Sequence, residues 1–129
     1  MKDRNDLALG WFRKADSDLT AAEVILGTSG PYDTVCFHAH QAAEKYLKGF
    51  LSLQGIAIPR SHDLLELNRL CGSLASVWVV DKQLLAELMP FAVEVRYDLD
   101  FFPEQSEAAS ALAITKQIRD AVLRVIDLP

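Results

Sequence analysis

The chain has 129 residues, one domain's length, and half of them are hydrophobic against 24% charged, a balance that excludes a disordered chain. Thirteen Lys and Arg against 18 Asp and Glu leave a formal charge of −5, which argues against general nucleic-acid binding but leaves room for a small basic pocket. Two cysteines, Cys36 and Cys71, form no CxxC pair, so they suggest neither a disulfide framework nor zinc and read as free thiols of a reducing compartment.

The first residues, Met1 to Asp6, carry charges of both signs with no apolar run behind them, unlike a signal peptide. The longest near-apolar run, Leu74 to Val80, is far shorter than the roughly 20 residues that cross a bilayer. The expectation is a soluble cytoplasmic protein with no membrane contact.

A first helix is expected over about 6–26, where Leu7, Trp11, Ala15, Ala22 and Ile25 recur at helical spacings and Gly27 to Gly30 stop the run. Asp18 falls on that stripe where an apolar residue belongs. The second helix starts at Pro31, a favoured first helical position, has Asp33 in its first turn, and runs to about 53 before Gly55. Ser61 is the expected N-cap of a short third helix over 63–70, ending near Gly72. A fourth runs from Asp81 to about 98 on Leu84, Leu88, Phe91 and Val95, with Pro90 expected to kink or interrupt it. The fifth covers about 104–126 on Ala111, Ile118, Val122 and Val125. Val77 to Val80 has strand character but no partner strand. These elements predict an all-α, up-and-down antiparallel bundle of four to five helices, a single domain over 1–129.

The second helix carries the polar chemistry. At about 100° per residue, Gln41, Glu44 and Lys48 fall within roughly 40° of Phe37, a narrow polar ridge beside a wide apolar face. Glu44 and Lys48 are an i,i+4 pair in the favourable order. The ridge is either solvated, with one surface ion pair, or a polar cluster facing a groove. A buried Asp18 needs a cation, and Lys48 and Arg96 are the natural candidates. Asp18, Gln41, Glu44, Lys48 and Arg96 would then share a buried polar network, and the plain alternative is an ion pair that fixes helix register. His38 and His40 point apart on a helix. His40 and Glu44 have ligand spacing but no third ligand, so no metal and no cofactor is expected. His40 reads as a hydrogen-bonded interior or interface histidine, and His62 as a local cap or packing residue.

Phe37 to Lys48, FHAHQAAEKYLK, strongly resembles the hallmark second helix of the HEPN (higher eukaryotes and prokaryotes nucleotide-binding) domain family. Trp11, Ala15, Asp18-Leu19 and Ala22 look like its first helix, Ser61-His62-Asp63-Leu64 like its histidine-containing segment, and Arg96-Tyr97 like the end of its fourth helix. The resemblance implies a helical bundle that usually dimerises, often works beside a small nucleotidyltransferase, and in many cases belongs to toxin–antitoxin or defence systems. Some members are metal-independent ribonucleases with an arginine followed at short distance by a histidine. Here Tyr97 follows Arg96, and Phe101, Phe102 and Pro103 stand where the histidine belongs, and none of them transfers a proton.

The leading expectation is a non-catalytic, dimeric module that binds a nucleotide, a nucleotidyltransferase partner, or both. The hypothetical ligand residues are Gln41, Glu44, Lys45, Lys48, Arg96 and Tyr97, with Lys45, Lys48 and Arg96 as cations for phosphate and Tyr97 as a wall for the base. The alternatives are a ribonuclease with a displaced histidine, His40 or His62, near Arg96, and a purely structural dimeric bundle.

Overall fold

The computed structural model describes residues 3–75, 78 and 80–126. Helix α1 (Arg4–Leu26) starts earlier than the apolar pattern indicates, because Asp3 and Asp6 form a reciprocal capping box. Asp3 accepts from the Asp6 N–H at 2.9 Å and Asp6 accepts from the Asp3 N–H at 3.3 Å. Its buried face is Ala8, Ala15, Leu19 and Ala22, while Leu7 stays 48% exposed. The helix is therefore rotated from the expected stripe, and Asp18 lies at the edge of the interface rather than inside it. Gly49 on the facing helix meets the Phe12 ring so closely that a Cβ there would overlap it.

Helix α2 (Tyr32–Leu53) has Pro31 as its N-cap rather than as its first helical residue; Pro31 keeps an extended backbone. Fourteen of its 22 residues are buried, which makes it the central element, packed by α1 and by the helices that follow. Tyr46, Leu47, Phe50 and Leu51 fill the core against Leu64, Leu67, Leu85, Leu88, Ile118 and Val122. Each such side chain contributes about 1.5–3 kcal/mol by leaving water. So wide a buried surface forces polar residues of α2 indoors as well.

Helix α3 (Leu64–Leu74) is capped by Asp63, which accepts from the N–H groups of Leu65 and Glu66; Ser61 instead receives the Asp63 N–H. It passes Gly72 because Leu64, Leu67 and Cys71 keep one face in the core. The expected fourth helix is three pieces: α4 (Lys82–Leu88), a 3₁₀ turn (Met89–Ala92) around Pro90, and α5 (Glu94–Tyr97). Proline removes the backbone donor that would have continued α4. Helix α6 (Gln105–Ile126) lies against α2, where Thr115 donates to the buried Ala39 carbonyl at 2.8 Å.

The architecture is the expected all-α bundle, with no strand among the described residues. Val77 and Val79, half of the strand-like stretch, lie outside the described residues. Trp78 stacks on Phe50 at 5.5 Å and donates to Asn68 at 2.6 Å. Cys36 and Cys71 are free and buried, and burial pushes both thiols up to about 12. No helix among the described residues is long and apolar enough to cross a membrane.

Candidate functional site

Helix α2 presents ionisable groups on two flanks. On the α1 flank, Asp18 takes His38 Nδ1 at 2.9 Å on one oxygen and Lys45 Nζ at 2.5 Å on the other. His38 and Lys45 stand two turns apart on α2, so they bracket the carboxylate. Asp18 is thus paired with these two residues and not with Lys48 or Arg96, because the rotation of α1 turns it toward this side. Lys45, expected as a ligand cation, is committed to Asp18. Nearby, the Tyr46 hydroxyl donates to Asp16 at 2.5 Å, and burial, reinforced by this carboxylate, raises the phenol well above its usual range.

On the other flank, Glu44 is the hub. One oxygen faces Lys48 Nζ at 3.3 Å and the other His62 Nδ1 at 2.8 Å. The side chains of Glu44 and Lys48 are only 5% and 8% exposed, so the ridge is a buried cluster and not a solvated pair. The Lys48 ammonium also lies over the Trp11 ring, 5.5 Å from its centroid, a contact that substitutes for lost water. His62 reaches Glu44 from outside, with its side chain 77% exposed. A carboxylate only accepts, so Nδ1 carries the proton in this pair and Nε2 is left free to face solvent. Gln41 is half-buried on the same helix.

His40 is the anomaly of this flank. It has no exposed surface, and neither ring nitrogen has a hydrogen-bond partner. Burial holds its pKa below 6.5; the Glu44 carboxylate works against that, and the charges of His62, Arg96 and Lys48 add to it. The expected interior histidine is there, without its expected bond.

Arg96 is exposed on α5. Its Nε and Nη2 donate to the Ala92 carbonyl at 3.0 and 2.8 Å, and its guanidinium lies over Phe37 at 5.6 Å and Tyr97 at 5.4 Å. Tyr97 is 71% exposed. The five residues expected in one network therefore divide: Asp18 on the α1 flank, Glu44 and Lys48 buried on the other, Gln41 half-buried on α2, and Arg96 at the surface. Downstream of Arg96, Phe101 packs on Phe91 at 5.8 Å, Phe102 is exposed and Pro103 is buried. None supplies a proton-transfer group. Among the described residues no three His, Cys, Asp or Glu side chains come together as metal ligands.

Five partners escaped the reading of the sequence: His38 and Lys45 for Asp18, His62 for Glu44, Trp11 for Lys48 and Phe37 for Arg96. His38 and Phe37 carry a weak signal, since helical spacing places them beside Lys45 and Gln41. Trp11 and His62 carry none, because their contacts cross the fold.

A search of curated proteins returned no match. Among solved structures, the protein TT1696 of Thermus thermophilus is 27% identical, superposes with a TM-score of 0.74, and the match covers 91% of this chain and 96% of that one. The archaeal HEPN homologue ST0689 is 23% identical with a TM-score of 0.68, covering 98% of this chain and all of that one, and shares the fold. The sequence profile of the HEPN domain matches residues 8–125, nearly the whole chain, which therefore belongs to the HEPN domain family.

Proposed function

We propose that this chain is a non-catalytic binding module that takes a nucleotide on the Glu44–Lys48 flank of α2. The observation that carries the reading is His40. A buried ring with two unsatisfied nitrogens is costly, about 1–3 kcal/mol for each unmet group, and such exceptions call for a functional account. Around it stand Lys48 and Arg96, two cations for phosphate against one carboxylate, and the exposed aromatic face of Tyr97 for a base. Lys45, the third expected cation, is engaged by Asp18, as Lys48 is by Glu44.

The test is thermal melting against a panel of nucleotides, with and without magnesium. A ligand at 100 times its Kd adds about 2.7 kcal/mol, a shift of several degrees. The shift is expected to vanish in Arg96→Ala, an exposed position whose loss leaves the fold intact. A flat panel overturns the reading. Cleavage of RNA by the pure protein without metal, lost in His62→Ala, replaces it with a ribonuclease built on the Glu44–His62 pair.

A second observation favours a protein partner. Val93, Tyr97, Leu99 and Phe102 are 57%, 71%, 86% and 76% exposed within ten consecutive residues. Such an apolar cluster suits a homodimer contact or a nucleotidyltransferase partner, as in a toxin–antitoxin or defence system acting in the cytoplasm. Sedimentation of the parent and of Leu99→Asp, alone and with a co-expressed nucleotidyltransferase, tests it; a monomer that recruits nothing ends this reading.

A further inference from the structure

The chain's excess charge and its most exposed apolar side chains collect at one edge. Residues 94–107 comprise α5, the turn after it and the start of α6. They hold Glu94, Asp98, Asp100, Glu104 and Glu107 against one cation, Arg96. That is a net −4 of the chain's −5, so the rest of the sequence is close to neutral. These carboxylates are exposed and, among the described residues, none forms an ion pair. Arg96 gives its N–H groups to the Ala92 carbonyl. The same stretch carries Tyr97, Leu99 and Phe102, the three most exposed large apolar side chains among the described residues.

The turn itself is built to hold them outward. The Asp100 N–H donates to the Asp98 carboxylate at 3.0 Å, and the Phe101 N–H to the Asp98 carbonyl at 3.1 Å. Phe101 turns inward onto Phe91, and Pro103 is buried. Leu99 and Phe102 are left in water, with Asp98, Asp100 and Glu104 interleaved along the chain. Apolar side chains presented this way favour an occupant that covers them, and the carboxylates choose which. A second copy laid two-fold on this edge would bring net −4 against net −4, and its single Arg96 could answer only one of the carboxylates. A cationic surface meets attraction instead.

We propose that the 94–107 edge docks a basic segment of a protein partner, in which apolar side chains alternate with Lys or Arg. This rests on the protein-partner reading above and narrows it to a cationic partner that is not a second copy of this chain. Tyr97 and Arg96 also belong to the nucleotide flank, so the test leaves both unchanged. The probe is a short fluorescein-labelled synthetic peptide, Leu and Trp alternating with Arg, titrated against the full chain by anisotropy. Saturable binding is expected, weakened about tenfold or more by Asp100→Lys with Glu104→Lys and by raised salt. Leu99→Ser with Phe102→Ser is expected to abolish it; all four positions are exposed, and an unchanged Tm checks that each variant is folded. Equal binding of a peptide with Glu in place of Arg, or of the parent and the charge-reversed variant, overturns the cationic partner and leaves the broader apolar reading standing. Binding that survives Leu99→Ser with Phe102→Ser is attraction of charge alone and overturns the proposal. So does the absence of binding to the Arg peptide, while sedimentation with the nucleotidyltransferase still judges the broader reading. A concentration-dependent dimer of the parent that Leu99→Ser with Phe102→Ser dissolves gives the edge to a second copy and overturns it as well.

Discussion

On the α1 flank of α2, the Asp18 carboxylate has both oxygens filled, by His38 and Lys45, at the half-buried edge of an interface. On the neighbouring flank, Glu44 is just as fully engaged, by Lys48 and His62, yet the site around it is unfinished. His40 lies buried without a partner, the His62 ring stands in solvent, and Arg96 is held only by a backbone carbonyl and two aromatic faces. The same residue types serve architecture on one side and leave unspent polar capacity on the other. Pair counts do not separate the two flanks; unsatisfied atoms do.

The largest expected effect lies in the buried hub. Glu44→Ala leaves the Lys48 ammonium buried with only the Trp11 face, so unfolding should be easier by about 3–5 kcal/mol, roughly 10 °C or more in Tm. A loss under about 1 kcal/mol in calorimetry would place the pair with ordinary surface bridges and dissolve the contrast. Asp18→Ala comes next. Its partners are 29% and 22% exposed and regain water when released, so about 1–2 kcal/mol is expected, readable by urea titration. If Asp18→Ala proved costlier than Glu44→Ala, the ranking of the flanks would be reversed.

A pH series sharpens the comparison. His40 titrates below 6.5 in the folded chain, chiefly because it is buried, so the unfolded chain takes up that proton first. Its contribution is neutral above pH 6.5, and stability is lost as pH falls below it. Melting points measured from pH 7 down to about pH 5 should therefore fall in the parent, and fall less in His40→Phe. Parallel curves would remove the burial penalty from the account. The smallest stability effect belongs to Arg96→Ala, within about 0.5 kcal/mol, because the side chain is exposed, its hydrogen bonds stay within its own turn, and its one contact beyond α5 is the Phe37 face. A larger drop in chemical denaturation would make Arg96 architectural and weaken its role as a phosphate cation.

Much of this molecule was legible in one dimension. Breakers and apolar spacing indicated the helices, their order and the all-α bundle, because those signals are local. Pro90 was expected to disturb the fourth segment and it divides it into three. The i,i+4 pair of Glu44 and Lys48 followed from helical geometry, and the motif from Phe37 to Lys48 was enough to suggest the family. Only the tertiary structure decided what those polar residues meet. Periodicity fixes which side chains share a face but not the angle at which that face docks, and one residue of rotation is about 100°. The docked rotation of α1 therefore turned Asp18 to Lys45 and His38 instead of Lys48 or Arg96. The contact of Glu44 with His62 spans 18 residues across a loop, and no spacing rule reaches that far. The burial of His40 and Lys48 follows from α2 being packed on most of its sides, a consequence of where it sits among its neighbours rather than of its own sequence.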